Sequence, residues 1–305
     1  MKRRIRTYAE LGDAAGGSIG AQVAAQTERL THRLAAIGHV VAIASGKGGV
    51  GKSFITANLA AALVRRGHRV GVVDGDVNGP TAALMLGAAR GPLTVADDGV
   101  HPANTAAGCT LMSMDLLLAS PDAPVRWREP ADGGFVWQST LETGALREFL
   151  ADTAWGELDY LLVDLAPGTD RISRLLALVP DPSAMLLVTT PSAAAASVVT
   201  RSVTHARDAG VRDIALVSNM DGHACPSCGS AVPVFGDEPG AALAERLRIP
   251  LWATVPFDPA VGADTDRGRP AVLAAPHTAA ARALEALARA LENHVRTRTR
   301  AEAIP

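Results

Sequence analysis

The stretch "SGKGGVGKSF" (45–54) carries two lysines in a glycine-rich turn. Residues 46–53 fit G-x-x-x-x-G-K-[ST], a phosphate-binding loop, provided that a strand precedes them and a helix follows. Both flanks meet that condition. "HVVAIAS" (39–45) is a short continuous apolar run. "FITANLAAALVRRG" places Ile55, Leu59 and Leu63 at helical spacing and stops at Gly67. In such a loop the glycines let backbone N–H groups face phosphate oxygens, and the helix N-terminus adds positive potential. Lys52 would reach the terminal phosphates and Ser53 would bind Mg²⁺. One lysine suffices for this, so Lys47 needs another explanation.

Outward from the loop, the same rhythm continues. "HRVGVVD" (68–74), "DYLLVDL" (159–165), "AMLLVTT" (184–190), "DIALVSN" (213–219) and "LWATVPF" (251–257) are continuous rather than alternating apolar runs. Strands buried on both faces of a parallel sheet read this way. "TLMSM" (110–114) is a further strand, and "LAERLRI" and "AAARALEALARALENHV" are helical. The expected fold is α/β: one doubly wound, mainly parallel sheet with helices on both faces. Residues 1–38 form a helical or partly disordered arm, 39–293 a single phosphate-loop domain and 294–305 a C-terminal tail with a solvated "RTRTR". The Pro- and Gly-rich segment 119–145 breaks the rhythm and reads as an insertion or mobile loop.

Composition narrows the class. The 305 residues are 48% hydrophobic and 4% aromatic, with 29 basic and 31 acidic residues and a net charge of −2. No general nucleic-acid surface is indicated. No run of about 18 apolar residues offers a membrane span, and the N-terminus lacks the apolar stretch of a signal peptide. Three cysteines, Cys109, Cys225 and Cys228, make no disulfide framework, so a cytoplasmic location is expected.

Acidic residues stand where an open parallel sheet binds ligands, at or just past strand ends. Asp74 and Asp76 lie in "VVDGDVNGPT" (72–81), and Asp164 lies in "LLVDLAPGTD" (161–170). Asp164 and Asp76 are candidates for holding Mg²⁺ directly or through water. Asp74 reads equally as a turn or cap residue. Gly46, Gly48 and Gly51 also fit the dinucleotide fingerprint G-x-G-x-x-G, with Asp74 as its ribose acid. That reading leaves Lys47, Lys52, Ser53 and Asp164 unused, so the phosphate loop is preferred.

With these residues on the page, the chain resembles the MinD/ParA/nitrogenase-iron-protein class, whose deviant Walker A loop carries an early lysine. Within it, the chain resembles the Mrp/ApbC family of iron–sulfur cluster carrier ATPases from residue 40 to about 275. The matching blocks include "VVDGDVNGPT", "LMSMDLLL", "VRWREP", "WGELDYLLVDLAPGTD", "VSNMDGHACPSCG" and "VPVFG". The resemblance implies an ATP-dependent homodimer in which Lys47 reaches the partner's nucleotide. It implies that Asp76 is the switch I acid that orients water, and that Asp164 and Gly168 belong to switch II. Asn219 would read the base, and "VPFD" (255–258), with Pro256 and Asp258, would close over adenine. Gly46, Lys47, Gly48, Gly49, Val50, Gly51, Lys52, Ser53 and Phe54 would form the nucleotide loop, with Lys47, Lys52, Asp76 and Asp164 catalytic. The family usually reads D-x-P-P-G-T-G-D at switch II. Here Ala166 replaces a proline and one glycine is missing, which implies a less rigid switch and slow hydrolysis. The family's block around Trp127 and Arg128 is present without an evident role. Residues 1–38 are too short for the small N-terminal domain that many members carry.

"ACPSCGS" (224–230) presents Cys225 and Cys228 as C-x-x-C in a loop after a strand. Two thiolates do not complete a Cys₄ site, but two chains at a twofold axis do. Tetrahedral sulfur suits either an iron–sulfur cluster or Zn²⁺, and the resemblance implies a [4Fe–4S] cluster destined for apoproteins. Cys109, in an apolar context, reads as a core residue, and His223 as a solvated loop histidine. Two other readings stand beside the carrier. One is a ParA/MinD-like spatial-organisation ATPase, which has no use for the cysteine pair. The other is a nucleotide switch with a structural zinc. The final helix, rich in Ala and Leu without bulky aromatics, reads as packed rather than membrane-bound.

Overall fold

A computed structural model describes residues 19–118, 120, 123, 125, 135–224, 231–235 and 239–302. The strands are β1 (Ile37–Ser45), β2 (Val70–Gly75), β3 (Val95–Ala96), β4 (Gly99–Val100), β5 (Ala103–Asn104) and β6 (Thr110–Met112), then β7 (Leu158–Leu165), β8 (Ala184–Thr189), β9 (Ile214–Ala224), β10 (Ala231–Val232) and β11 (Leu251–Phe257). The helices are α1 (Ile19–Ala35), α2 (Lys52–Arg65), α3 (Ala82–Leu86), α4 (Phe135–Ala151), α5 (Asp170–Leu176), α6 (Ala193–Asp208), α7 (Gly240–Leu247), α8 (Pro259–Thr265), α9 (Ala271–Ala274) and α10 (Ala279–Glu302).

Seven parallel strands run β6-β2-β7-β1-β8-β9-β11, and short antiparallel strands β5 and β10 add to β6 and β9. The continuous apolar runs are thus central strands, covered on both faces. Along β1, Val41 and Ile43 join the core under α2 and α10, while Val40, Ala42 and Ala44 join the core under α4, α6 and α7. This is the period-two alternation of a strand sandwiched between two apolar layers. The order reverses at β1, whose neighbours β7 and β8 lie on opposite sides. The crevice at its carboxyl end is therefore the switch point where ligands bind in such sheets.

Two segments differ from the sequence reading. Residues 135–145, expected within an insertion or mobile loop, belong to α4. Its buried residues Glu142, Ala145, Leu146, Phe149 and Leu150 follow helical spacing. The expected tail from 294 is helical as far as Glu302. Arg298 holds it by donating to the Pro182 carbonyl (3.0 Å), Asp213 (3.1 Å) and Asp181 (2.5 Å). The apolar face of α10, including Leu284, Leu287 and Leu291, is buried in the core shared with α2. No helix among the described residues is long and apolar enough to cross a membrane. Residues 1–18, Trp127, Arg128, Cys225 and Cys228 lie outside the described residues.

Candidate nucleotide site

The loop begins where β1 ends. The Ser45 hydroxyl donates to the Lys47 carbonyl (3.0 Å), closing the first turn. Gly49 and Gly51 take φ of 76° and 81°, the left-handed region that disfavours side chains. Gly51 is constrained twice, because a Cβ there would come within 2.2 Å of Asn219 Nδ2. Helix α2 starts at Lys52 with no side-chain cap hydrogen bond. Its first N–H groups are thus available to an anion in the cleft. A cleft of about 290 Å³ opens above the loop, lined also by Asp76, Thr81 and Pro167. Lys47, Ser53 and Phe54 line it too and are partly exposed. Lys47 has no ion-pair partner among the described residues.

Lys52 also borders the cleft, but its ammonium is held by an acid. Its Nζ lies 2.7 Å from Asp164 Oδ1, with the two side chains 7% and 0% exposed. The Thr56 hydroxyl, one turn along α2, lies 3.0 Å from the same oxygen. Asp164 Oδ2 is buried without a hydrogen-bond partner among the described residues. An orphaned carboxylate oxygen costs free energy unless something outside the protein satisfies it. The donor set of Asp164, Asp76 and Ser53, all oxygens, is the hard kind that Mg²⁺ prefers. The residues present therefore fit a magnesium ion, held directly or through water.

Asp74 and Asp164 stand side by side in register on β2 and β7. Asp74 accepts from the backbone N–H groups of Asp76 (3.2 Å), Thr81 (3.1 Å) and Ala82 (3.1 Å), and from the Ser113 hydroxyl (3.2 Å). Burial, and then the neighbouring Asp164, pushes its carboxyl up to about 7. The turn-and-cap reading fits these contacts: Asp74 braces the loop that carries Asp76. Asp76 itself borders the cleft, and its Oδ1 accepts from Gly79 N–H (3.2 Å). Burial raises its carboxyl above the usual range, and Lys52 opposes the rise.

The remaining expected residues gather at the same sheet edge. Gly168, at φ 121°, donates its N–H to the Ser45 carbonyl (3.1 Å), tying the turn after β7 to the end of β1. Asn219, on β9 and 3% exposed, donates to the Val50 carbonyl (2.9 Å) and so supports the loop from beneath. Pro256 is near the end of β11, and Asp258 caps α8 by accepting from Ala260 N–H (3.0 Å). His223 is partly exposed, with its Nδ1 3.1 Å from the Phe257 carbonyl. Sequence reasoning missed Thr56, whose signal was a hydroxyl one turn after Lys52.

The family model describing ParA, the NUBPL iron-transfer P-loop NTPase, matches residues 36–292. The iron-sulfur cluster carrier protein of Saccharolobus solfataricus is 36% identical over 259 residues, which is 85% of this chain and 84% of that one. The human cytosolic Fe-S cluster assembly factor NUBP2 is 37% identical over 260 residues, or 84% of this chain and 92% of that one. Among solved structures, a nucleotide-binding protein from Archaeoglobus fulgidus in complex with ADP superposes with a TM-score of 0.65. It is 33% identical, with 80% of this chain and 91% of that one covered.

Proposed function

The chain belongs to the ParA/NUBPL family of iron-transfer P-loop NTPases, and from that premise we propose that it is an ATP-hydrolysing carrier of an iron–sulfur cluster, acting as a cytoplasmic homodimer. The observation that supports this reading best is strand β9. At Asn219 it hydrogen-bonds the phosphate loop, and it ends at Ala224, immediately before Cys225 and Cys228 in the sequence. One strand therefore joins nucleotide and cysteine chemistry, which gives ATP a route to the cargo.

The nucleotide chemistry follows from the site. The loop amides and the α2 N-terminus bind the phosphates, and Lys52 exchanges Asp164 for a phosphate oxygen. Ser53 and Asp164 hold magnesium, which when bound neutralises phosphate charge. Asp76 orients the attacking water. Lys47, partly exposed at the cleft, reaches the nucleotide of the second subunit, so that ATP joins the two chains. Two cysteines from each chain then complete a four-thiolate site for a [4Fe–4S] cluster, which is passed on to apoproteins. A partition ATPase of the same fold has no role for that pair.

Anaerobic reconstitution followed by iron, sulfide and zinc analysis tests the proposal, with sedimentation in the presence and absence of ATP. Iron and sulfide in equal amounts, with an ATP-strengthened dimer, is the expected outcome. One zinc per chain in a monomer indifferent to ATP replaces the carrier with a zinc-stapled nucleotide switch. Separately, Asp76→Ala should lower ATP turnover by about 10²-fold or more, within the range for losing an acid–base or positioning group, while calorimetry still detects ATP binding. Unchanged turnover at saturating ATP reduces Asp76 to a turn residue.

A further inference from the structure

Helix α4 carries one residue out of keeping with its buried stripe. Glu142 is 8% exposed, on the face it shares with Ala145, Leu146 and Phe149. A carboxylate in that position is costly unless fully paired. Its two oxygens are committed to different places. Oε1 accepts from Asn78 Nδ2 at 2.5 Å. Oε2 accepts from Arg174 Nη1 at 2.9 Å and from Arg171 Nη1.

Those partners sit on the two segments that flank the nucleotide cleft. Asn78 lies two residues after Asp76, in the turn that follows β2. Arg171 and Arg174 lie on α5, which opens two residues after Gly168 in the turn that follows β7. Asp170 completes the cluster by accepting from Arg174 Nη2 at 2.6 Å.

We propose that Glu142 is a positioning residue that couples the Asp76 loop to α5, so that the two segments move together when ATP binds or is hydrolysed. A carboxylate is a rigid planar unit, and both oxygens are in use. A displacement of α5 is therefore transmitted through Glu142 to Asn78, or breaks a charge-assisted contact in a buried setting. The inference rests on the reading of the cleft as an ATP site.

The test compares wild type, Glu142→Gln and Asn78→Ala by hydrogen exchange of residues 46–53, 76–81 and 168–176, with and without a non-hydrolysable ATP analogue and Mg²⁺. ATP affinity and turnover are measured in parallel. Asn78 is exposed, so its truncation keeps the proposal testable even if Glu142→Gln does not fold. In wild type, all three segments gain protection together. In both variants, residues 46–53 respond as before, but the responses of 76–81 and 168–176 separate. Turnover falls about tenfold while ATP affinity changes less than about threefold, a loss confined to the reacting complex. Asn78→Ala has no further effect in the Glu142→Gln background. Coordinated responses that survive in the variants, or equal losses in affinity and turnover, overturn the coupling role. If residues 46–53 do not respond in wild type, the ATP reading itself fails, and the coupling fails with it.

Discussion

Lys52→Ala is expected to damage the protein twice. It removes a charge-assisted phosphate contact, a loss of about 1.5–3 kcal/mol that weakens Mg·ATP binding by roughly tenfold or more. It also strands Asp164, whose Oδ1 loses its 2.7 Å partner in a fully buried position. Breaking one side of a buried pair costs about 3–5 kcal/mol, so the nucleotide-free protein should unfold at markedly lower denaturant. The two effects separate in the double variant Lys52→Ala/Asp164→Asn. Removing the carboxylate charge should restore most of the stability and none of the binding. Asp164→Asn alone should release Lys52 from its competing partner and remove one proposed magnesium ligand, so that ATP binding depends less on magnesium. Denaturation and titration calorimetry report the two quantities independently. A Lys52→Ala protein as stable as wild type discards the buried-pair argument, and unchanged ATP affinity discards Lys52 as a phosphate ligand.

The second large effect concerns the cysteines. Cys225→Ser or Cys228→Ser should abolish the visible absorption of the reconstituted protein, since either change would remove two of the four ligands in the proposed dimer. Wild type should reconstitute to about two iron atoms per chain, the stoichiometry of one bridging [4Fe–4S] centre. Cys109→Ser should leave the metal untouched. Cys109 is 2% exposed, its sulfur lies 3.2 Å from the Thr105 hydroxyl, and burial pushes its thiol up to about 11. Such a thiol is a poor ligand. Lys47→Ala should retain iron yet lose the ATP-dependent strengthening of the dimer. Iron bound equally well by both cysteine variants removes the cluster from this loop.

The sheet was legible because its strands are buried on both faces. "DYLLVDL" and "AMLLVTT" have no polar alternation, and they form β7 and β8 within a residue of the expected bounds. The two-residue strands β3, β4, β5 and β10 left no such trace, because their pairing is set by tertiary context. Helix α4 was obscured by the Pro- and Gly-rich residues before it, although Ala145, Leu146, Phe149 and Leu150 already had helical spacing. Arg298 read as part of a solvated tail because its partners Asp181 and Asp213 are remote in sequence. The site shows the same division. The phosphate loop is contiguous and readable, as is Asp76 after β2, whereas Asp74 and Asp164 are the penultimate residues of β2 and β7. That Lys52 and Asp164 pair with one another, or that Glu142 bridges the Asp76 loop and α5, depends on residues brought together across many intervening positions.

The place of β1 in the sheet has a consequence for how the protein is made. The strand that holds the phosphate loop pairs on one side from Ile37 with Leu158, and on the other from Val41 with Ala184. Both neighbours leave the ribosome more than about 120 residues after β1 does, a delay of roughly 6–24 s at about 5–20 residues per second. Until then, the apolar run 39–45 has no sheet to enter, and the glycine turns after it have no frame. A nascent chain stalled before residue 158 should therefore not be retained on immobilised ATP, whereas one extended past β8 and β9 should be. Nucleotide therefore cannot guide the early half of synthesis.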